Sequence, residues 1–265
     1  MFETLEIERV GPVATLWMNR PALFNAFNEQ LIADLSEACL MMDADPTVRV
    51  LVLAGRGRHF SAGADLNWMR RAAAASEADN LSDALRFARM LRTLSGLSKP
   101  TIARIQGAAL GGGTGLAAAC DMAVASSDAV FSTSEVRFGI IPAVISPYVL
   151  RAIGPRHALR YFQTAEKISA ERALMIGLIS EVTPVDALDA GVAALIEPLL
   201  AGAPSAQAAS KELIEAIKGR LIDDAIMEET ARRIARQRAS AEGRDGVAAF
   251  LDKRPPAWLV DQPGT

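Results

Sequence analysis

The stretch IQGAALGGGTGLAAACD, Ile105 to Asp121, decides the reading of this chain. It follows the Lys99-Pro100 break and opens on the end of an apolar run, Thr101 to Ile105, that reads as a strand. Gly111-Gly112-Gly113 then make a turn, and small residues as far as Cys120 continue as a helix. Consecutive glycines let another group approach the backbone closely. A helix opened at such a turn presents unpaired N–H groups and the positive end of its dipole. Neither familiar nucleotide loop fits: the Lys-Ser/Thr of a phosphate loop is missing, and no G-x-G-x-x-G can be read. Asp121 to Ala125 is the next strand. The same succession occurs earlier, with the strand VRVLVL (48–53), a loop from Gly55 to Ser61, the small-residue turn Ser61-Ala62-Gly63-Ala64-Asp65, and a helix starting near Asp65. G-x-S-x-G does not fit around Ser61, so no nucleophile elbow is present. Strands alternating with helices predict an α/β fold with mostly parallel pairing.

Working outward, residues 4–18 alternate around Gly11-Pro12, with Leu5, Ile7, Val13, Thr15 and Trp17 in phase, which predicts a β-hairpin. Asn28 caps a helix whose Leu31, Leu35, Cys39 and Met42 share one face, and Asp45-Pro46 ends it. Residues 76–95 are helical, with Leu81, Leu85, Ala88 and Leu91 at helical spacing. From about residue 186 the pattern is nearly all helical, with starts at Asp186, Pro204 and Asp223 and a terminator at Lys253-Arg254-Pro255-Pro256. The expected division is an α/β core over 1–200 and a helical region over 201–265.

Composition narrows the chemistry. With 51% hydrophobic residues in 265, the chain buries a full core without disulfide or metal staples, and wholesale disorder is excluded. A net charge of −3 leaves no electrostatic footprint for nucleic acid. Two cysteines (Cys39, Cys120) make no disulfide framework and point to a reducing compartment. Two histidines (His59, His157) and those cysteines are too few for a His- or Cys-built metal site. The acidic, alternating N-terminus MFETLEIERV does not fit a signal peptide, and Gly107 to Cys120 is too short and Gly-rich to span a bilayer. A cytoplasmic protein is expected, with chemistry built from carboxylates and backbone groups.

FSAGADL (60–66) and IQGAALGGGTGLAAACD (105–121) resemble the two signature segments of the enoyl-CoA hydratase/isomerase, or crotonase, superfamily. The resemblance extends to MNRP (18–21) with Asn25-Ala26, to FSTSEVRFGIIP (131–142) and to FLDKRPPAW (250–258), in the family's order over essentially the whole chain. It implies a crotonase-like spiral of repeated ββα units with a helical C-terminal trimerisation region, and a homotrimer or homohexamer. It implies a coenzyme A thioester as substrate, with no separate cofactor and no metal. The N–H groups of Ala64 and Gly112 would face the thioester oxygen. Moving a proton beside a thioester carbonyl puts negative charge on that oxygen, and fixed N–H donors stabilise it. Ala26, Ala62, Gly63, Asp65, Leu66 and Gly111 would line the substrate, and Lys253 would reach the nucleotide of a neighbouring subunit.

Many hydratases of the family carry two catalytic glutamates. Here Gly115 stands at the first position and Glu135 at the second. Glu135 is therefore the expected general acid/base, partly desolvated and with a raised pKa. One carboxylate suffices to migrate a double bond, whereas water addition usually benefits from two groups. SAGADLNWMRR (61–71), FSTSEVRFGIIPAVISPYVLRAIG (131–154) and RYFQTAE (160–166) resemble the subgroup of methylglutaconyl-CoA and isohexenylglutaconyl-CoA hydratases, which favours hydration of a branched, glutaconyl-type thioester. A Δ3,Δ2-enoyl-CoA isomerase and a non-catalytic acyl-CoA-binding protein remain as alternatives. His59 is read as packing its loop. Arg56, Arg58, Arg70 and Arg71 are read as solvated charge, with coenzyme A phosphates as the other reading.

Overall fold

The computed structural model describes residues 2–260. The chain opens with the hairpin β1 (Leu5–Val10) and β2 (Val13–Met18), paired antiparallel across Gly11-Pro12. The phase of β2 that enters the main core differs from the expected one: Ala14, Leu16 and Met18 are fully buried, while Val13, Thr15 and Trp17 are half-buried on the other face, where Val13 packs against the cluster that holds Val50 and Val52. The outer indole is not wasted on water, since Trp17 Nε1 donates to Glu8 at 2.7 Å and the Arg56 guanidinium stacks 4.0 Å from its ring. Helix α1 (Glu29–Ala44) is capped by Asn28, whose side chain accepts the Leu31 N–H at 2.9 Å, and it buries Leu31, Leu35, Cys39 and Met42 as predicted.

Strand β3 (Val50–Gly55) begins two residues later than the expected Val48, because Val48 N–H is used in a turn to Asp45 and pairing with β2 starts at Val13 and Val50. Then come α2 (Leu66–Ala74), capped by Asp65, and α3 (Glu77–Ser95), capped by Ser76. The buried face of α3 is Phe87, Met90, Leu91 and Leu94; Leu81 and Leu85 are exposed, contrary to the spacing read from sequence. Strand β4 (Thr101–Ile105) leads through β5 (Ala108–Leu110) into α4 (Gly112–Ala119), then β6 (Met122–Ser126) and β7 (Val130–Ser132). Helix α5 (Ser146–Thr164) is kinked at Gly154-Pro155, followed by β8 (Ile168–Ser169), α6 (Ala170–Met175) and β9 (Glu181–Thr183).

The large sheet has the order β1-β2-β3-β4-β6-β9 and is parallel beyond its first hairpin. A small sheet, β5-β7-β8, stands apart from it. Strand β3 is buried along its whole length, as strands covered on both faces are. Its Leu51 and Leu53 join the main core with α1, α3 and α4, where Cys39 and Cys120 also lie. Its Val50 and Val52 join Ile102 and Val124 under Leu188 and Val192 of α7 (Leu188–Ala201). Beyond it run α8 (Pro204–Ile217), α9 (Asp224–Ala239), α10 (Ala241–Leu251) and the short α11 (Ala257–Val260). Pro204 opens α8 and Asp223 caps α9 as read from sequence, while α7 starts after a 3₁₀ turn that contains Asp186. No helix among the described residues is long and apolar enough to cross a membrane.

Candidate active site

Two small-residue turns meet at one place. The first turn is held by isolated bridges, Phe27 with Ala64 and Ser61 with Ala109. Ser61 N–H donates to Ala108 O at 3.0 Å and Leu110 N–H to Ser61 O at 2.9 Å, which lays the turn along β5. The approach needs glycine: a Cβ on Gly113 would stand 2.8 Å from Ser61 O, and one on Gly63 would stand 3.1 Å from Leu110 O. Thr114 locks the first turn of α4 by donating to Ala109 O at 2.7 Å.

The Phe27–Ala64 bridge aims one donor. Phe27 N–H donates to Gly63 O at 2.7 Å and Asp65 N–H to Phe27 O at 2.8 Å. In a parallel bridge of this kind the middle residue turns its own N–H to the opposite edge. The Ala64 N–H therefore points away from Phe27 and has no acceptor among the described residues. Gly112 is the first residue of α4, where an N–H has no intrahelical partner, and it too is without an acceptor among the described residues.

Glu135 reaches the same place from β7. It opens a 3₁₀ turn (Glu135–Phe138) closed by Gly139 in the left-handed region. Its Oε1 lies where a Cβ on Gly111 would stand 3.1 Å away, and that same Cβ would be 4.0 Å from Gly63 Cα. Gly111 N–H is tied to Ser132 O at 2.8 Å, so β7 carries both the glutamate and the turn it faces. Burial pushes the Glu135 carboxyl above the usual carboxylate range, against the pull of its own backbone N–H. Its Oε2 is buried with no hydrogen-bond partner among the described residues. An unpartnered buried carboxylate oxygen is costly to leave unmade, and the other oxygen of this carboxyl lies beside Gly111, where the two turns approach each other.

Gly115 lies one turn after Gly112 on the same face of α4. A Cβ there would stand 2.2 Å from Ile145 Cγ2, so a buried isoleucine from the start of α5 fills this position. Sequence reasoning missed Ile145, because only packing reveals a side chain that closes a space thirty residues away. It also missed Arg20, whose guanidinium donates to Asp65 Oδ2 at 2.9 Å and to Ala26 O. Asn25 sits in the left-handed region, and its amide donates to Arg56 O and to His59 O at 2.9 and 2.8 Å. Ser61 Oγ completes the tie by donating to Asn25 O.

Ala26, Ala62, Gly63, Ala64, Asp65, Leu66, Gly111, Gly112 and Glu135 thus belong to segments that contact one another. Lys253 does not join them: it follows α10, and its N–H donates to Phe250 O. His59 Nδ1 accepts the Ala108 N–H at 3.0 Å, the loop-packing role expected of it. Arg56 and Arg71 pair with Glu6 and Glu29, and Arg70 binds Asn67. A groove of about 830 Å³ lies beside Cys120, Asp121 and Lys211 under α8; none of Ala64, Gly112 and Glu135 lines it.

Residues 8–261 match the family model described as enoyl-CoA hydratase/isomerase. The chain belongs to that family. It is 41% identical to an enoyl-CoA hydratase from Shewanella pealeana whose crystal structure superposes with a TM-score of 0.95 over 97% of both chains. A candidate enoyl-CoA hydratase/isomerase (crotonase) from Legionella pneumophila is 44% identical, with a TM-score of 0.92 over 96% of this chain and 98% of that one. The crotonyl-CoA hydratase of Syntrophomonas wolfei is 33% identical over 96% of both chains. The fold is the crotonase fold, and the protein is an enzyme of this hydratase/isomerase family.

Proposed function

We propose that this enzyme adds water across the 2,3 double bond of a branched, glutaconyl-type enoyl-CoA. What supports the reading is that the half-buried Glu135 carboxyl lies beside Gly111 and close to Gly63, whose chain neighbours Gly112 and Ala64 carry N–H groups without acceptors among the described residues. The thioester oxygen accepts from both donors. As Glu135 takes a proton from water, the hydroxyl bonds to C3 and the electron pair of the double bond moves onto the thioester oxygen. The resulting enolate is held by the two donors, each worth roughly 3–4 kcal/mol in comparable sites. Glu135 then returns the proton to C2, so one carboxyl acts as base and then as acid. Its desolvated setting raises its proton affinity, which helps it take the proton from water. Ala26, Ala62, Gly63, Asp65, Leu66 and Gly111 form the bed of the coenzyme A moiety, and Lys253 serves a neighbouring subunit's site in a homotrimer or homohexamer. The branched acyl group is supported by the likeness of residues 61–71, 131–154 and 160–166 to the glutaconyl-type subgroup.

A second reading has its own support. With Ile145 closing position 115, a single carboxylate serves the site, and one base is all that a Δ3 to Δ2 double-bond shift requires. The test is a panel of crotonyl-CoA, 3-methylglutaconyl-CoA and 3-hexenoyl-CoA, assayed with wild type and Glu135→Gln. Hydration of the branched substrate, reduced at least about 100-fold in the variant, is the expected result. Double-bond migration without hydration replaces the first reading with the second. Binding of all three without turnover leaves an acyl-CoA carrier, and undiminished activity of Glu135→Gln removes the carboxyl from the mechanism.

A further inference from the structure

The guanidinium of Arg20 is a fork set between the two segments that carry the Ala64 donor. Its Nη2 lies 2.9 Å from Asp65 Oδ2, and its Nη1 donates to Ala26 O. We infer that Arg20 is a positioning residue for the reaction: gripping Ala26 and Asp65 together, it fixes the direction of the Ala64 N–H. The inference rests on the proposed role of that N–H toward a thioester oxygen.

The geometry argues for it in three ways. First, the Phe27–Ala64 bridge is isolated, held by two hydrogen bonds between loop segments. The same segments are also joined before the bridge, by Ala62 N–H to Phe24 O and by Ser61 Oγ to Asn25 O, both at 2.9 Å, so the end left to be steadied is the Asp65 side. The fork adds an attachment before the bridge on one segment, at Ala26, and after it on the other, at Asp65. Second, Asp65 cannot follow Arg20 elsewhere, since its Oδ1 caps α2 by accepting the Asn67 N–H at 2.8 Å and the Trp68 N–H at 3.4 Å. The carboxylate ties the fork to a helix end. Third, the pair is nearly out of water, with side chains 14% and 10% exposed. Buried ion pairs are a poor source of stability compared with apolar packing, and their best use is in fixing geometry. A planar fork that grips two acceptors at once is what arginine supplies and lysine does not.

A phosphate-binding role for Arg20 is the competing reading. Both of its terminal nitrogens already donate, to Ala26 O and Asp65 Oδ2, and the side chain is 14% exposed. Loss of a phosphate contact would raise KM, whereas loss of a positioned donor lowers kcat.

The experiment compares Arg20→Met, Arg20→Lys and the double variant Arg20→Met/Asp65→Asn in three readouts. These are kcat and KM, the melting temperature, and the enolate absorbance of bound acetoacetyl-CoA, which reports anion stabilisation at the thioester oxygen without turnover. Displacement of a catalytic group by about 1 Å costs on the order of 100-fold, so Arg20→Met should lose roughly 10- to 100-fold in kcat with KM within about threefold. Its enolate band should weaken in parallel, and Arg20→Lys should fall between it and wild type. The double variant removes the stranded buried carboxylate, so it should regain melting temperature but neither kcat nor the enolate band. Recovery of all three together would reduce Arg20 to a stabilising residue and overturn the inference, as would a wild-type kcat and band in Arg20→Met. A raised KM at unchanged kcat would assign the phosphate role instead. Should Arg20→Met fail to fold, Asp65→Asn alone, which keeps an oxygen for the α2 cap, carries the same expectation. A wild type without an enolate band would strike the proposed role of the Ala64 and Gly112 donors, whereas the kcat and stability split still judges the fork.

Discussion

Replacing Gly115 by alanine should destabilise the protein, although alanine inside a helix ordinarily improves it by about 0.8–1 kcal/mol over glycine. The reason is Ile145. A Cβ at 115 would stand 2.2 Å from Ile145 Cγ2 and 2.8 Å from Ile145 Cβ. Carbon atoms rest roughly 3.5–4.0 Å apart, so the overlap exceeds about 1 Å. Ile145 is 2% exposed and opens α5, so it has no solvent to swing into. Either α4 and α5 part or the isoleucine leaves its rotamer. Overpacking of this kind costs about 1–3 kcal/mol, and an overlap so deep belongs at the top of that range, leaving a net loss of about 2 kcal/mol after the helix gain. Urea unfolding of both proteins at one protein concentration measures it, since subunit association would otherwise shift the midpoint. Ile145→Ala removes Cγ2, so in that background the same substitution should cost at least about 1 kcal/mol less. A Gly115→Ala variant as stable as wild type would refute the packing argument. The same overlap means that glutamate placed at 115 finds no room unless Ile145 is shortened as well.

Other expectations follow from the site. Because burial lifts the Glu135 carboxyl above its ordinary range, activity that needs its anion should fall with decreasing pH around a midpoint above that of free glutamate, as kcat/KM profiles would record. Stability runs the other way: the folded protein holds this proton more tightly than the unfolded chain, so stability is lost as pH rises through the folded pKa. Glu135→Gln should therefore melt higher than wild type at neutral pH and lose that advantage below the pKa of a free glutamate, and a lower melting temperature at neutral pH contradicts the desolvation. Gly111→Ala places a methyl 3.1 Å from Glu135 Oε1 at φ +50, so it should cost roughly 1–3 kcal/mol and reduce kcat; unchanged turnover would separate Gly111 from the carboxyl. Asn28→Ala should cost about 1 kcal/mol through the lost Leu31 cap, read as a shift in the urea midpoint with kcat unaltered.

Five strands of the large sheet, β1 to β4 and β6, were legible because they alternate with capped helices: Asn28, Ser76 and Asp65 stand where side chains accept the first N–H groups, whereas β9, three residues long, was not read. The small sheet was not. Strands β5 and β7 have three residues each and β8 has two, too few for a period of two to appear. The phase of β2 was misread because Trp17 is apolar yet outward, covered by guanidinium groups that lie elsewhere in the sequence. In α3, Leu81 and Leu85 kept helical spacing but precede the stretch that meets the core. At the site, Glu135 and the two turns were named from motifs, whereas Arg20 and Ile145 act through contacts that no local pattern records.

An enoyl thioester is a soft electrophile, and a thiolate adds to its double bond without help. Cys39 and Cys120 lie in the core, where burial pushes the Cys39 thiol up to about 12 and raises that of Cys120 as well. A protonated, enclosed thiol is a poor nucleophile. An enoyl thioester bound at the proposed site would therefore meet no ready thiolate from either cysteine, and the packing between α1 and α4 is what keeps both thiols protonated.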